Sequence, residues 1–181
     1  MTAAAQQIVD GTPAPVEHGE GAEPERPATT AEAEQFLYRE ARLADAFALE
    51  EWEALWTDDA IYYVPVDDTK DPRTHMSVIF DNRGRISTRI KQLQTGRRHS
   101  QRPPSRLCRS VTNVEVLGQE GADTVVTSVV QILESRDRGP TWWVGRVTHR
   151  LRRVDGELRM AAKKIVLVDS DRALRSLSFL V

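Results

Sequence analysis

The chain has 181 residues, of which 40% are hydrophobic and 29% charged, with a formal net charge of −2. Those values fit one soluble globular domain and exclude collagen-like, coiled-coil and wholly disordered chains. No apolar run approaches the ~20 residues of a membrane span, no basic segment followed by an apolar stretch marks a secretory signal, and the near-neutral balance gives no reason to expect nucleic acid as a partner.

Residues 1–28 hold five acids against one base, Arg26, a net of −4, so the rest of the chain carries +2. Pro13, Pro15, Pro24 and Pro27 fall there, and no aromatic residue does. Such a stretch buries too little apolar surface to offset its ordering entropy. It reads as a flexible leader ahead of a single domain over 29–181.

Thr29 and Thr30 precede Ala31-Glu32-Ala33-Glu34, an N-cap with acids in the first turn. Ala33, Phe36, Leu37, Leu43, Ala44, Phe47 and Ala48 follow near helical spacing, which predicts a helix over 31–48. A short second helix is expected over 50–56, stopped by Thr57-Asp58-Asp59, and a strand over 61–66. Residues 67–77 are polar, contain Pro72 and read as a loop. A third helix is predicted over 83–94, with Ile86, Ile90 and Leu93 on one face and Gly96 ending it.

The stretch 97–106 carries Arg97, Arg98, Arg102 and Arg106 around Pro103-Pro104. Adjacent prolines exclude a helix interior, so this is an extended basic connection. It reads either as a solvated loop or as a docking strip, since arginine is favoured at protein interfaces. Four long strands are then expected over 107–117, 123–136, 141–154 and 157–168. Asp155-Gly156 between the last two is a strong hairpin signal. In the third of these strands Trp143, Val147 and Leu151 share one face, and Arg146, Thr148, Arg150 and Arg152 the other. The apolar end, with Phe179 and Leu180, reads as a core strand or a buried subunit contact. Helices followed by a meander of long strands predict an α+β fold, with the sheet curled round the helices.

Little chemistry is visible. The histidines, His18, His75, His99 and His149, show no metal-binding spacing. Asp67, Asp68 and Asp71 lack the glycine and terminal glutamate of a calcium loop. No phosphate loop, dinucleotide fingerprint or nucleophile elbow occurs. Cys108, the one cysteine, cannot close an internal disulfide, which fits a reducing cytoplasm, and in a strand-like run it reads as an inert buried thiol. An acid–base site remains as one alternative: His149 on the inward face, with Tyr63 on the first strand, inside a cone.

Several blocks together resemble the small (β) subunits of aromatic-ring-hydroxylating dioxygenases. They are Glu34-Gln35-Phe36-Leu37-Tyr38-Arg39-Glu40-Ala41-Arg42-Leu43, Trp52 with Leu55, Tyr62-Tyr63-Val64-Pro65-Val66, Phe80-Asp81 with Arg89 and Leu93, Pro103-Pro104-Ser105-Arg106, Val111-Thr112-Asn113-Val114, Val144-Gly145-Arg146, Lys163 to Asp169, and Leu177-Ser178-Phe179-Leu180. Their order and spacing cover roughly 30–181. The resemblance implies a cone of the nuclear-transport-factor type, a curved mixed or antiparallel sheet round about three helices. It implies no catalytic, cofactor-binding or metal-binding residue in this chain. The partner it implies is a large (α) subunit holding a Rieske [2Fe–2S] cluster and a mononuclear Fe(II), in an α3β3 hexamer with β–β contacts. That assembly would insert both atoms of O2 into an aromatic ring to give a cis-dihydrodiol, with NADH electrons arriving through a reductase, with or without a ferredoxin. Arg97, Arg98, Arg102, Pro103, Pro104, Arg106, Phe179 and Leu180 are the subunit-interface candidates. The competing expectation is a stand-alone isomerase, dehydratase or cyclase built on His149 and Tyr63.

Overall fold

The computed structural model describes residues 26–95, 105–137, 139–170, 172, 177 and 179–181. Among the described residues three helices, α1 (Thr30–Asp45), α2 (Leu49–Glu53) and α3 (Arg83–Gln94), accompany six strands: β1 (Trp56–Pro65), β2 (Ser77–Asn82), β3 (Arg106–Glu120), β4 (Asp123–Arg136), β5 (Gly139–Val154) and β6 (Glu157–Leu167). The strands form one mixed sheet in the order β2-β1-β6-β5-β4-β3. Only β1 and β6 run parallel, and the other neighbours are antiparallel.

A reciprocal capping box starts α1. The Glu32 amide donates to Thr29 Oγ1 at 3.3 Å, and the Thr29 amide donates to Glu32 Oε2 at 2.9 Å. Ala33, Phe36, Leu37, Glu40, Ala41 and Ala44 form the buried stripe. The helix stops at Asp45 rather than at 48, because Phe47 turns left-handed at φ 57°. That turn swings Phe47 out to 42% exposure. The short α2 likewise gives way early, and Thr57-Asp58-Asp59 lies inside β1 instead of separating it from the helix. Part of the leader belongs to the fold: Ala28 is buried, and its amide donates to Thr124 Oγ1 at 2.9 Å.

α3 covers the expected span. Asn82 Oδ1 caps it by accepting from the Arg85 amide at 3.0 Å, and Ile86, Ile90 and Leu93 are buried. Thr95 is its described cap, while Gly96 lies outside the described residues. β2 falls where no strand was expected. Its pairing with β1 sets Phe80 beside Tyr63, their rings 5.5 Å apart and edge to face. The β5–β6 hairpin turns at Asp155 (φ 55°) and Gly156 (φ 81°), both left-handed, as a two-residue primed turn requires. Gly145 on β5 has a packing reason. A Cβ there would stand 3.0 Å from Ile165 Cγ2 and 3.0 Å from the Val166 carbonyl oxygen.

All three helices contribute to one core on the inner face of the sheet. Trp52, Trp56 and Tyr62 lie at its centre, with ring centroids 5.2 to 6.0 Å apart. Large aromatic groups fill the inside of the curl, so packed side chains occupy the interior.

Candidate functional site

Strand register decides which polar groups meet inside. Tyr62 on β1 aligns with Lys163 on β6, which aligns with His149 on β5. Side chains directly across neighbouring strands share a face, so these three point inward together. Glu40 reaches them from α1. Its Oε1 accepts from Lys163 Nζ at 2.7 Å and from Trp52 Nε1 at 2.7 Å. Glu40, Lys163 and His149 are all buried.

The electrostatics of this cluster are those of a closed ion pair. Burial by itself raises the Glu40 carboxyl, but the Lys163 charge and hydrogen bond outweigh it and hold the group below its ordinary value. Burial, aided by the Lys163 cation, lowers the His149 imidazole to about 3. It is neutral at any physiological pH, and neither ring nitrogen has a hydrogen-bond partner.

The neighbouring space is filled by residues 179–181. Tyr62 Oη donates to the Val181 carbonyl oxygen at 2.8 Å and accepts from the Val181 amide at 3.0 Å. The Arg109 guanidinium pairs with Asp45 and donates to the Leu180 carbonyl oxygen. It also lies over the Phe179 ring, 5.7 Å from the centroid. Phe179 in turn meets Trp143 edge to face at 5.8 Å.

Tyr63 stands on the opposite face. It aligns with Lys164, whose Nζ is 6.0 Å from its ring centroid. His149 and Tyr63 therefore lie on two sides of one sheet, and the acid–base pair proposed from the sequence does not assemble. Cys108 is exposed, not buried, because β3 turns it to the outer face. Of the interface candidates, Arg106 is exposed, whereas Phe179 and Leu180 are buried within this chain's own core. Arg97, Arg98, Arg102, Pro103 and Pro104 lie outside the described residues.

Sequence reasoning missed Glu40, Lys163, Tyr62 and Arg109 as an interior set. One signal was available: Glu40 interrupts the apolar stripe of α1 between Leu37 and Ala41. The donor set does not fit the iron centres that the family resemblance implies. A Rieske centre takes two cysteines and two histidines, and the chain has one cysteine. Among the described residues no three His, Cys, Asp or Glu side chains gather as metal ligands.

A curved sheet wrapped round helices is the nuclear-transport-factor-like cone. The β subunit of benzoate 1,2-dioxygenase from Burkholderia mallei superposes with a TM-score of 0.71 at 22% identity, covering 86% of this chain and 99% of that one. A candidate scytalone dehydratase from Novosphingobium aromaticivorans has the same fold (TM-score 0.60, 16% identity, 81% of this chain and 89% of that one), so the architecture by itself does not choose a function. Sequence does choose. Residues 39–172 match the family described as ring hydroxylating beta subunit. The small oxygenase component of the p-cumate 2,3-dioxygenase system of Pseudomonas putida is 33% identical over 144 residues, 77% of this chain and 79% of that protein. The chain belongs to the ring-hydroxylating β-subunit family.

Proposed function

We propose that the chain serves as the non-catalytic small subunit of a multicomponent aromatic-ring-hydroxylating dioxygenase. It would hold in place a large subunit that carries the Rieske cluster and the mononuclear iron. That assembly would cis-dihydroxylate an aromatic ring with O2 and NADH-derived electrons, delivered through a reductase with or without a ferredoxin. One observation carries the reading beyond family membership. The interior that could house acid–base chemistry is occupied by the Glu40–Lys163 pair and by Phe179, Leu180 and Val181.

The α3β3 stoichiometry, a cytoplasmic location and the contact roles of Arg97, Arg98, Arg102, Pro103, Pro104 and Arg106 are parts of this proposal. It is supported by the absence of any described helix long and apolar enough to cross a membrane, and by the exposure of Arg106. The stand-alone alternative loses ground because His149 and Tyr63 face opposite ways.

The test is co-expression of the tagged full chain with a large oxygenase subunit carrying a Rieske motif. A brown, iron-containing partner should be retained in fixed ratio, and the small chain alone should turn over neither aromatic nor ketone substrates. Oxygenation or isomerisation by the isolated chain would overturn the reading.

A further inference from the structure

Two polar side chains break the apolar inner face of the sheet. Val126, Val130 and Ile132 line that face on β4, and Trp143, Val147 and Leu151 line it on β5. Ser128 and His149 interrupt these rows and are only 4% and 3% exposed. Among the described residues neither Ser128 Oγ nor either ring nitrogen of His149 has a hydrogen-bond partner. Buried polar atoms are, with few exceptions, paired with protein or with ordered water.

The register sets these groups beside each other. Val126 lies directly across from His149 and Ser128 across from Val147, so Ser128 and His149 are diagonal neighbours on one face. Diagonal neighbours stand about 7–8 Å apart along the backbone. At that separation a short hydroxyl and an imidazole miss a direct bond, and a water between them spans the gap. Lys163 faces His149 from the other side, on β6. Glu40 is its one hydrogen-bond acceptor among the described residues, and an ammonium has N–H groups to spare after one bond.

The backbone gives way at the same place. Between the aligned pairs Thr112–Val129 and Glu115–Thr127, β3 has two residues, Asn113 and Val114, where β4 has Ser128 alone. Asn113 is left-handed there, at φ 53°. Between Arg150–Ala162 and Leu151–Met160, β6 carries the extra residue Ala161. Such bulges interrupt the ladder and bend the strand. One therefore flanks Ser128 and the other flanks His149, and both loosen the sheet around the pair.

The walls define the occupant. A neutral imidazole presents one donor and one acceptor, a serine hydroxyl is both, and a lysine ammonium only donates. Glu40 already neutralises Lys163, so neither a cation nor an anion would find an unanswered charge. What fits is small, uncharged and able both to give and to accept hydrogen bonds. We propose that the cone holds a buried water site, in which water accepts from Lys163 Nζ and bridges His149 to Ser128. Several polar partners of this kind are what an interior water requires. The site extends the Glu40–Lys163 pair into one hydrogen-bonded chain from α1 through β6 and β5 to β4. It is a property of this chain by itself and does not depend on the small-subunit reading.

The test is a high-resolution crystal structure of the full-length chain, paired with NMR in solution. Water density is expected within about 2.7–3.2 Å of a His149 ring nitrogen and of Ser128 Oγ. In solution the His149 ring protons, assigned by their loss in His149→Phe, should show dipolar cross-peaks to long-residence water. Ser128→Val puts a methyl group where the hydroxyl stands and should abolish both the density and the water contact at the intact imidazole. An unchanged circular dichroism spectrum certifies the fold of that variant, and the two wild-type measurements decide the matter if it does not fold. A dry site, a His149 nitrogen bonded directly to protein on both sides, or density too large for water would overturn the proposal. So would a water that stays in place in Ser128→Val.

Discussion

Lys163 Nζ meets Glu40 Oε1 at 2.7 Å across 123 residues of chain, joining β6 to α1 inside the cone. Both side chains are about 95% shielded from solvent. Removing one member of such a pair strands the other charge in the interior, which typically costs about 3–5 kcal/mol, whereas replacing both with apolar groups of similar volume is often close to neutral. Lys163→Met should therefore lower the unfolding free energy by about 3–5 kcal/mol in urea titrations. The Glu40→Leu/Lys163→Met double variant should regain most of that. A single-variant loss below about 1 kcal/mol would contradict the picture of a tightly coupled pair.

His149 makes stability depend on pH in a definite direction. Its folded pKa is about 3, lowered first by burial and then by the Lys163 cation, with Glu40 opposing. The unfolded chain takes up this proton near 6.5, and the folded chain does not. Stability is thus fully present above pH 6.5 and declines by about 1.4 kcal/mol per unit as pH falls toward the folded value. Glu40, whose folded pKa is also depressed, adds a loss only below its ordinary value of 4.5. Between pH 6.5 and 4.5 wild type should lose about 2–3 kcal/mol on account of His149. His149→Phe should show a correspondingly flatter profile in denaturant titrations at stepped pH. Parallel profiles would mean that the imidazole is protonated in the fold.

The local features of the fold were legible in the sequence, and those made by distant pairs were not. Thr29 and Glu32 announce α1 because the capping box lies within four residues. Asp155-Gly156 announces the last hairpin because both residues tolerate the left-handed region. The end of α1 was overrun, since Phe47 and Ala48 continue the apolar spacing and only the left-handed turn at Phe47 breaks it. β2 was hidden: its short apolar core, Val78-Ile79-Phe80, follows a Pro- and Asp-rich loop and becomes a strand by pairing with β1. The interior set was hidden for the same reason. Lys163 looks like any strand lysine until the register with His149 and Tyr62 turns it inward toward Glu40.

Tyr62 closes the other side of that interior, and its phenol is the hinge of a testable latch. Burial pushes its pKa well above the ordinary tyrosine value, so the hydroxyl stays protonated. It donates to the Val181 carbonyl while accepting from the Val181 amide. Tyr62→Phe keeps the ring packed against Trp52 and Trp56 but leaves two buried backbone groups unpaired, at about 1–3 kcal/mol. Phe179→Ala removes a ring held between Trp143 and the Arg109 guanidinium and should cost about 3–5 kcal/mol. Hydrogen exchange separates a local from a global effect. If residues 179–181 form a latch, Tyr62→Phe should speed exchange at the Val181 amide far more than at the core amides of β5 and β6. Equal acceleration everywhere would make these residues an ordinary part of the cooperative core, inseparable from the sheet they pack against.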